Sequence, residues 1–208
     1  SLNSILLKGM SEYSVVKMLV RFRENKIGVS ANIRKFYNTL RLDPSHYKYH
    51  MALWRPNMLP EEDAIELVLL VHFYGVRSSG GLCMAAVKKL IEFARKSKLE
   101  NVAKVLESAY VDNCNSSVGT EIELEEIKEG MPQFMLDHGM PIKALAWTGG
   151  ETPTELSADG MINTAGYSWD PKTDRMKIMI PKIFHGEKKK GKFTKDTIFF
   201  NNKTTLEN

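Results

Sequence analysis

Only two cysteines, Cys83 and Cys114, occur in 208 residues, too few for a disulfide framework in a chain of this size. They fit two free thiols in a reducing compartment, so an intracellular, cytoplasmic location is expected. No apolar run approaches the ~20 residues needed to cross a bilayer. The N-terminal stretch also lacks the basic, apolar and small-residue sections of a signal peptide, so no membrane partner is expected. Five histidines, His46, His50, His72, His138 and His185, show no ligand spacing with either cysteine, which argues against a zinc site. Internal repeats are missing too. With 43% hydrophobic and 26% charged residues, the chain has the makings of one globular domain with an appendage.

Its charge is unevenly placed. Over 1–41, eight bases (Lys8, Lys17, Arg21, Arg23, Lys26, Arg34, Lys35, Arg41) face only Glu12 and Glu24. From Asp112 to Asp159 ten acids face only Lys128 and Lys143. A basic region beside an acidic one suits a protein that grips a polyanion by its backbone and holds divalent metal elsewhere. Solvated surface charge without a partner gives the same composition.

Hydrophobic periodicity predicts a helix over Glu12–Arg23, with Val15, Leu19 and Phe22 on one stripe and Val16 and Val20 beside it. A short strand is expected at Ile27–Ile33, followed by a turn or helical segment containing Arg34, Lys35, Phe36 and Tyr37. Tyr47, Tyr49, Met51 and Leu53 alternate with Lys48 and His50 and predict a half-buried strand. The nearly continuous apolar run Ile65–Tyr74 predicts a strand buried on both faces. From the Gly75–Gly81 turn a helix is expected to run to about Lys96, with Ala85, Leu90, Ile91 and Phe93 apolar, and a second short one is expected near Val102–Ser108. Ala109 to Cys114 sets two apolar arms around a polar pair, which predicts a tight hairpin. An acidic amphipathic helix (Glu121–His138), a strand (Met140–Trp147) and a second hairpin around 170–174 follow. Lys182–Lys195, with six lysines, is expected to be an exposed linker. Hairpins interleaved with helices predict an α+β fold, an antiparallel sheet packed on helices.

Four segments follow one another in a telling order: Ser30-Ala31-Asn32-Ile33-Arg34-Lys35-Phe36-Tyr37, Tyr74-Gly75-Val76-Arg77-Ser78-Ser79-Gly80, Tyr110-Val111-Asp112-Asn113, and Ile142-Lys143-Ala144-Leu145-Ala146-Trp147. The series resembles the ordered palm motifs of reverse transcriptases and is most similar to the BEL/Pao retrotransposon family. Leu2-Asn3-Ser4-Ile5-Leu6-Leu7-Lys8-Gly9, Ala165-Gly166-Tyr167-Ser168-Trp169 and His185-Gly186-Glu187-Lys188-Lys189 share in the resemblance, which therefore covers almost the whole chain. It implies the palm and part of the fingers of a right-hand polymerase over 1–181 and a basic linker over 182–208, within a longer retroelement polyprotein.

The resemblance also implies roles. Three positions of the family hold two Mg²⁺ ions, because a phosphoryl transfer with an attacking 3′ oxygen and a leaving pyrophosphate benefits from metals about 3.5–4 Å apart. Here those positions are Asn32, Asp112 and Asn113, so only one is still acidic. Hard cations want anionic oxygens, and the expectation is an RNA-directed DNA polymerase domain with little or no activity as written. Lys143 matches a lysine that protonates pyrophosphate, or is an edge-strand base. Tyr37 matches the aromatic under the incoming sugar, or anchors the palm; Arg34, Lys35 and Gly75 would lie near the nucleotide. Ser79, Gly80, Tyr167 and Trp169 would face primer and template, although a helix cap and core packing explain the same letters. The implied partners are an RNA or DNA template-primer and deoxynucleoside triphosphates. Two other functions stay open: a nucleic-acid-binding module that has lost its metal, and an interaction scaffold on a polymerase fold.

Overall fold

The computed structural model describes residues 2–7, 9, 14–157, 160–181 and 203–205. A short helix α1 (Leu2–Ile5) precedes α2 (Val15–Phe22), whose N-cap Ser14 accepts a hydrogen bond from the Lys17 amide. The expected helix is there, but its buried stripe runs through Met18 and Phe22, with Val15 and Leu19 half-buried and Val16 and Val20 in solvent. Strand β1 (Ile27–Ile33) has the predicted bounds. Next come two 3-10 turns, Phe36–Thr39 and Pro44–Tyr49. The second replaces the start of the strand expected from Tyr47. Pro44 stands in its first turn and the Asp43 carboxylate accepts from the Ser45 amide, a local start signal that outweighs alternation.

Strands β2 (Met51–Trp54) and β3 (Ile65–Val68) form a separate two-stranded antiparallel ribbon, and all eight residues are exposed. The prediction of a strand buried on both faces at 65–74 is therefore overturned: nothing among the described residues covers it. Helix α3 (Ser79–Lys96) buries Cys83, Val87, Leu90 and Ala94, a stripe of ordinary helical spacing, while Ala85 and Phe93 face outward. Helix α4 (Glu100–Glu107) leads into β4 (Ala109–Tyr110) and β5 (Asn113–Val118). A reciprocal capping box between Thr120 and Glu123 starts α5 (Glu121–Asp137), and β6 (Ile142–Trp147) follows. Strands β7 (Ile162–Thr164), β8 (Tyr167–Asp170), β9 (Arg175–Pro181) and β10 (Lys203–Thr205) complete the described chain. The predicted linker Lys182–Lys195 and the motif at His185–Lys189 lie outside the described residues, as do Lys8 and Glu12.

The fold is α+β with antiparallel sheets. The central sheet has the order β4-β5-β1-β6, and a second has the order β10-β9-β8-β7. Alternate residues of β1 (Ile27, Val29, Ala31, Ile33) join Cys83, Val87, Val102, Leu106, Ile127, Met131 and Met135 in the main core, which places α3, α4 and α5 on one face. On the opposite face Phe22 packs with Ala146, Ile162 and Trp169. Gly28 permits this: a Cβ there would lie 3.1 Å from the Phe22 ring. Phe22 meets Trp169 edge-on at 4.9 Å between ring centroids. With both faces covered, β1 is buried almost throughout, and only Asn32, next to its end, emerges.

Candidate functional site

That end carries Asn32, paired in register with Asn113 of β5 on one side and Ala144 of β6 on the other. Only Val111 and Asp112 connect β4 to β5, since Tyr110 and Asn113 form the last pair. Two-residue hairpin turns demand positive φ at the first central residue, and Val111 supplies it at +59°. For a β-branched side chain this backbone is an outlier that costs on the order of 1–2 kcal/mol. It is held in place because Val111 packs against the main core and the Ile33 amide donates to the Asp112 carbonyl at 2.7 Å. Strain kept in this way aims the next side chain.

Three side chains converge there. The Asn32 amide Nδ2 donates to Asp112 Oδ2 at 3.2 Å and to Asn113 Oδ1 at 3.1 Å, and Asn113 Nδ2 donates to Asp112 Oδ1 at 3.2 Å. The three are half-buried. Tyr37, also half-buried, leans edge-on against Phe36 at 5.4 Å. Burial, with smaller contributions from Cys83 and the Asp112 carboxylate, raises its phenol above the ordinary value, which places Tyr37 within electrostatic reach of the cluster. Behind Asp112 the fully enclosed Cys114 thiol is pushed up to about 12, chiefly by burial and further by the Asp112 charge. It is a packed apolar group, not a nucleophile.

The other candidates are spread more widely. Arg34 and Lys35 are exposed just beyond β1; the Arg34 amide donates to the Pro141 carbonyl at 2.9 Å, and Lys35 has φ +50°. Lys143 falls where the register jumps from Asn32–Ala144 to Ile33–Ile142, so it is the extra residue of a β-bulge beside Asn32, and it is exposed. Gly75 has φ +89° in the turn before α3, where its carbonyl accepts from Asn3 at 2.7 Å. Ser79 is buried and its hydroxyl donates to the Phe73 carbonyl at 2.8 Å, while the N-cap position belongs to Ser78. Gly80 has open space where a Cβ would stand. Tyr167 is half-buried, whereas Trp169 is 1% exposed and belongs to the second core, its indole N–H donating to Asp174 at 2.9 Å. Sequence reasoning missed Val111, whose only signal was a β-branched residue at a turn position. It also missed buried Asn115, which donates to Thr164 and to the Met18 sulfur and ties β5 to α2 and β7.

The donor set does not fit a pair of divalent cations. Only Asp112 is anionic, and both of its oxygens already accept from amides, while the NH₂ of Asn32 points into the cluster. Among the described residues no group of three or more His, Cys, Asp or Glu side chains could hold a metal ion, and no helix is long and apolar enough to cross a membrane. Concavities of about 330 and 480 Å³ lie around Arg21 and Glu107 instead, and none of the cluster residues lines them. Compared with known proteins, the chain matches no family model and no curated protein.

Proposed function

We propose that this chain is a reverse transcriptase palm with part of the fingers, silenced for two-metal nucleotidyl transfer at Asn32 and Asn113, that keeps a weak grip on template-primer. One observation carries the proposal: residues 80 or more positions apart, Asn32 with Asp112 and Asn113, meet at the tip of a strained hairpin on the sheet, with the Tyr37 phenol within electrostatic reach of Asp112. Those are the positions, in the same chain order, that the resemblance to BEL/Pao reverse transcriptases assigns to the two Mg²⁺ ions and the nucleotide sugar. Attack of a primer 3′ oxygen on a triphosphate would need anionic ligands at all three positions. Amides at two of them remove two units of charge compensation, and each ~1.4 kcal/mol withheld from the transition state is tenfold in rate.

A closed amide-carboxylate network needs no cation to be satisfied, which favours binding without chemistry as the second form of the same proposal. Primer extension in Mg²⁺ by the chain and by Asn32→Asp/Asn113→Asp, each beside a filter-binding titration, tests both. Extension by the double variant alone supports the polymerase; salt-sensitive binding without extension by either leaves a binding module; loss of both overturns the proposal.

A further inference from the structure

More than half of the exposed large hydrophobic side chains among the described residues fall between Tyr49 and Tyr74. They centre on the β2–β3 ribbon. Its register pairs Met51 with Val68 and Leu53 with Glu66 on one face, and Ala52 with Leu67 and Trp54 with Ile65 on the other. Leu53 is 73% exposed. Neither strand has a second neighbour among the described strands, so each presents an open backbone edge. A lone two-stranded ribbon is marginal in water, and an apolar patch of this kind marks an interaction surface.

Charge along the ribbon says what fits. At its tip, the 55–64 connection, Glu61, Glu62 and Asp63 outweigh Arg55. At its root Arg41, bridged to Val71, and Lys48, just before β2, outweigh Asp43, and Arg77 follows. An acidic tip repels phosphate, which disfavours nucleic acid as the occupant. We infer that the ribbon pairs with the ribbon of a second copy of this chain, antiparallel about a two-fold axis, so that each acidic tip meets the other copy's basic root and the apolar middles cover one another. Such an isologous contact is self-complementary by construction. A parallel arrangement would instead set acid against acid.

The test is sedimentation equilibrium of the full chain, with folding checked by circular dichroism. The chain should form dimers that weaken with salt. Leu53→Lys, which faces Glu66 across the ribbon and so keeps it paired, should abolish them. Glu61→Lys/Asp63→Lys and Arg41→Glu/Lys48→Glu should each weaken association by about tenfold or more, equivalent to ~1.4 kcal/mol. The chain carrying all four charge reversals should dimerise again, because tip and root have exchanged sign together. A monomer at all accessible concentrations, a dimer indifferent to Leu53→Lys, or no recovery in the fourfold variant overturns the inference.

Discussion

Asp112 and Asp174 occupy similar places and live in different company. Each lies at a hairpin connection with a positive-φ residue, Val111 beside the one and Asp174 itself, at +53°, in the other. Asp174 Oδ1 accepts from Arg23 at 2.7 Å, from the Trp169 indole at 2.9 Å and from Thr148 at 3.2 Å, which joins the end of α2, the end of β6 and the β8–β9 hairpin. Among the described residues, Asp112 accepts from two neutral amides, those of Asn32 and Asn113. A carboxylate that stitches elements together is matched by a cation and by a buried donor that would otherwise go unsatisfied. One held half-buried among neutral partners, on a strained turn, adds little that a neutral residue could not. Under the proposed function, it would be the remnant of a site whose charge a bound cation once balanced.

The largest expected effect breaks that contrast by restoring acids around Asp112. In Asn32→Asp/Asn113→Asp three carboxylates converge where hydrogen bonds of about 3 Å now run. Two like charges at ~4 Å cost about 4 kcal/mol at an effective dielectric near 20, an upper bound for each pair. Without divalent cations the double variant should lose a few kcal/mol, about 5–10 °C in melting temperature for a chain this long, and millimolar Mg²⁺ should restore most of it. Primer extension should rise from background by several decades if the proposed function holds. A melting temperature unmoved by Mg²⁺ would show that the three positions cannot share a cation.

Asp174→Ala should come next, at about 2–4 kcal/mol of stability. The substitution leaves the indole N–H of a tryptophan that is 1% exposed without its acceptor and frees the Arg23 guanidinium. Urea unfolding followed by tryptophan fluorescence measures it directly. Asp112→Ala should cost no more than about 1 kcal/mol by the same assay, since its partners are half-buried amides with access to water. Equal losses from the two substitutions would erase the contrast.

Acid should weaken the Asp174 cluster. Burial alone would raise the Asp174 carboxyl, but the hydrogen bonds from Arg23 and Trp169, the Arg23 charge and the Thr148 hydroxyl outweigh it and leave the group below its ordinary value. A depressed folded-state value stabilises above the unfolded carboxylate value of ~3.9 and is lost as pH falls through the folded one. Stability should therefore fall as pH drops below about 4, modestly because Arg23 is 44% exposed. Asp174→Asn should flatten that part of the profile.

Much of the central sheet was legible because its signals are local. The β1 bounds and the tight hairpin after α4 follow from a short apolar run and turn chemistry. Residue types at the candidate site were also legible, but their convergence needs register across three strands. Where sequence reading failed, the deciding partner was distant or absent. The run Ile65–Tyr74 is apolar enough for a core strand, and hydrophobicity cannot say whether the surface that covers it belongs to the same chain. Arg23 and Asp174 are separated by 151 positions, so the cluster that turns Trp169 into a core residue leaves no local trace. Met18 was passed over because valines drew the helical stripe, although i, i+4 spacing to Phe22 was present.

The smallest effect concerns Lys35 and sharpens what surrounds Asp112. This exposed lysine adopts φ +50° at the start of the Phe36–Thr39 turn, a left-handed conformation that asparagine tolerates better than lysine. Lys35→Asn should therefore leave stability unchanged or raise it by less than about 1 kcal/mol, a rare case in which removing a base is not a structural loss. The same substitution removes one positive charge beside the candidate site. If Lys35 neutralises a phosphate of bound template-primer, the slope of log affinity against log salt should become shallower by about 0.9 on duplex DNA. Lys17→Asn, an exposed α2 lysine on the rim of the concavity shared with Ser108 and Ala109, is the control for a general loss of charge. An unchanged slope for Lys35→Asn with a reduced one for Lys17→Asn would move the nucleic-acid path away from Asp112 and onto α2, and the cluster would then lose its claim to be the place where template-primer meets the protein.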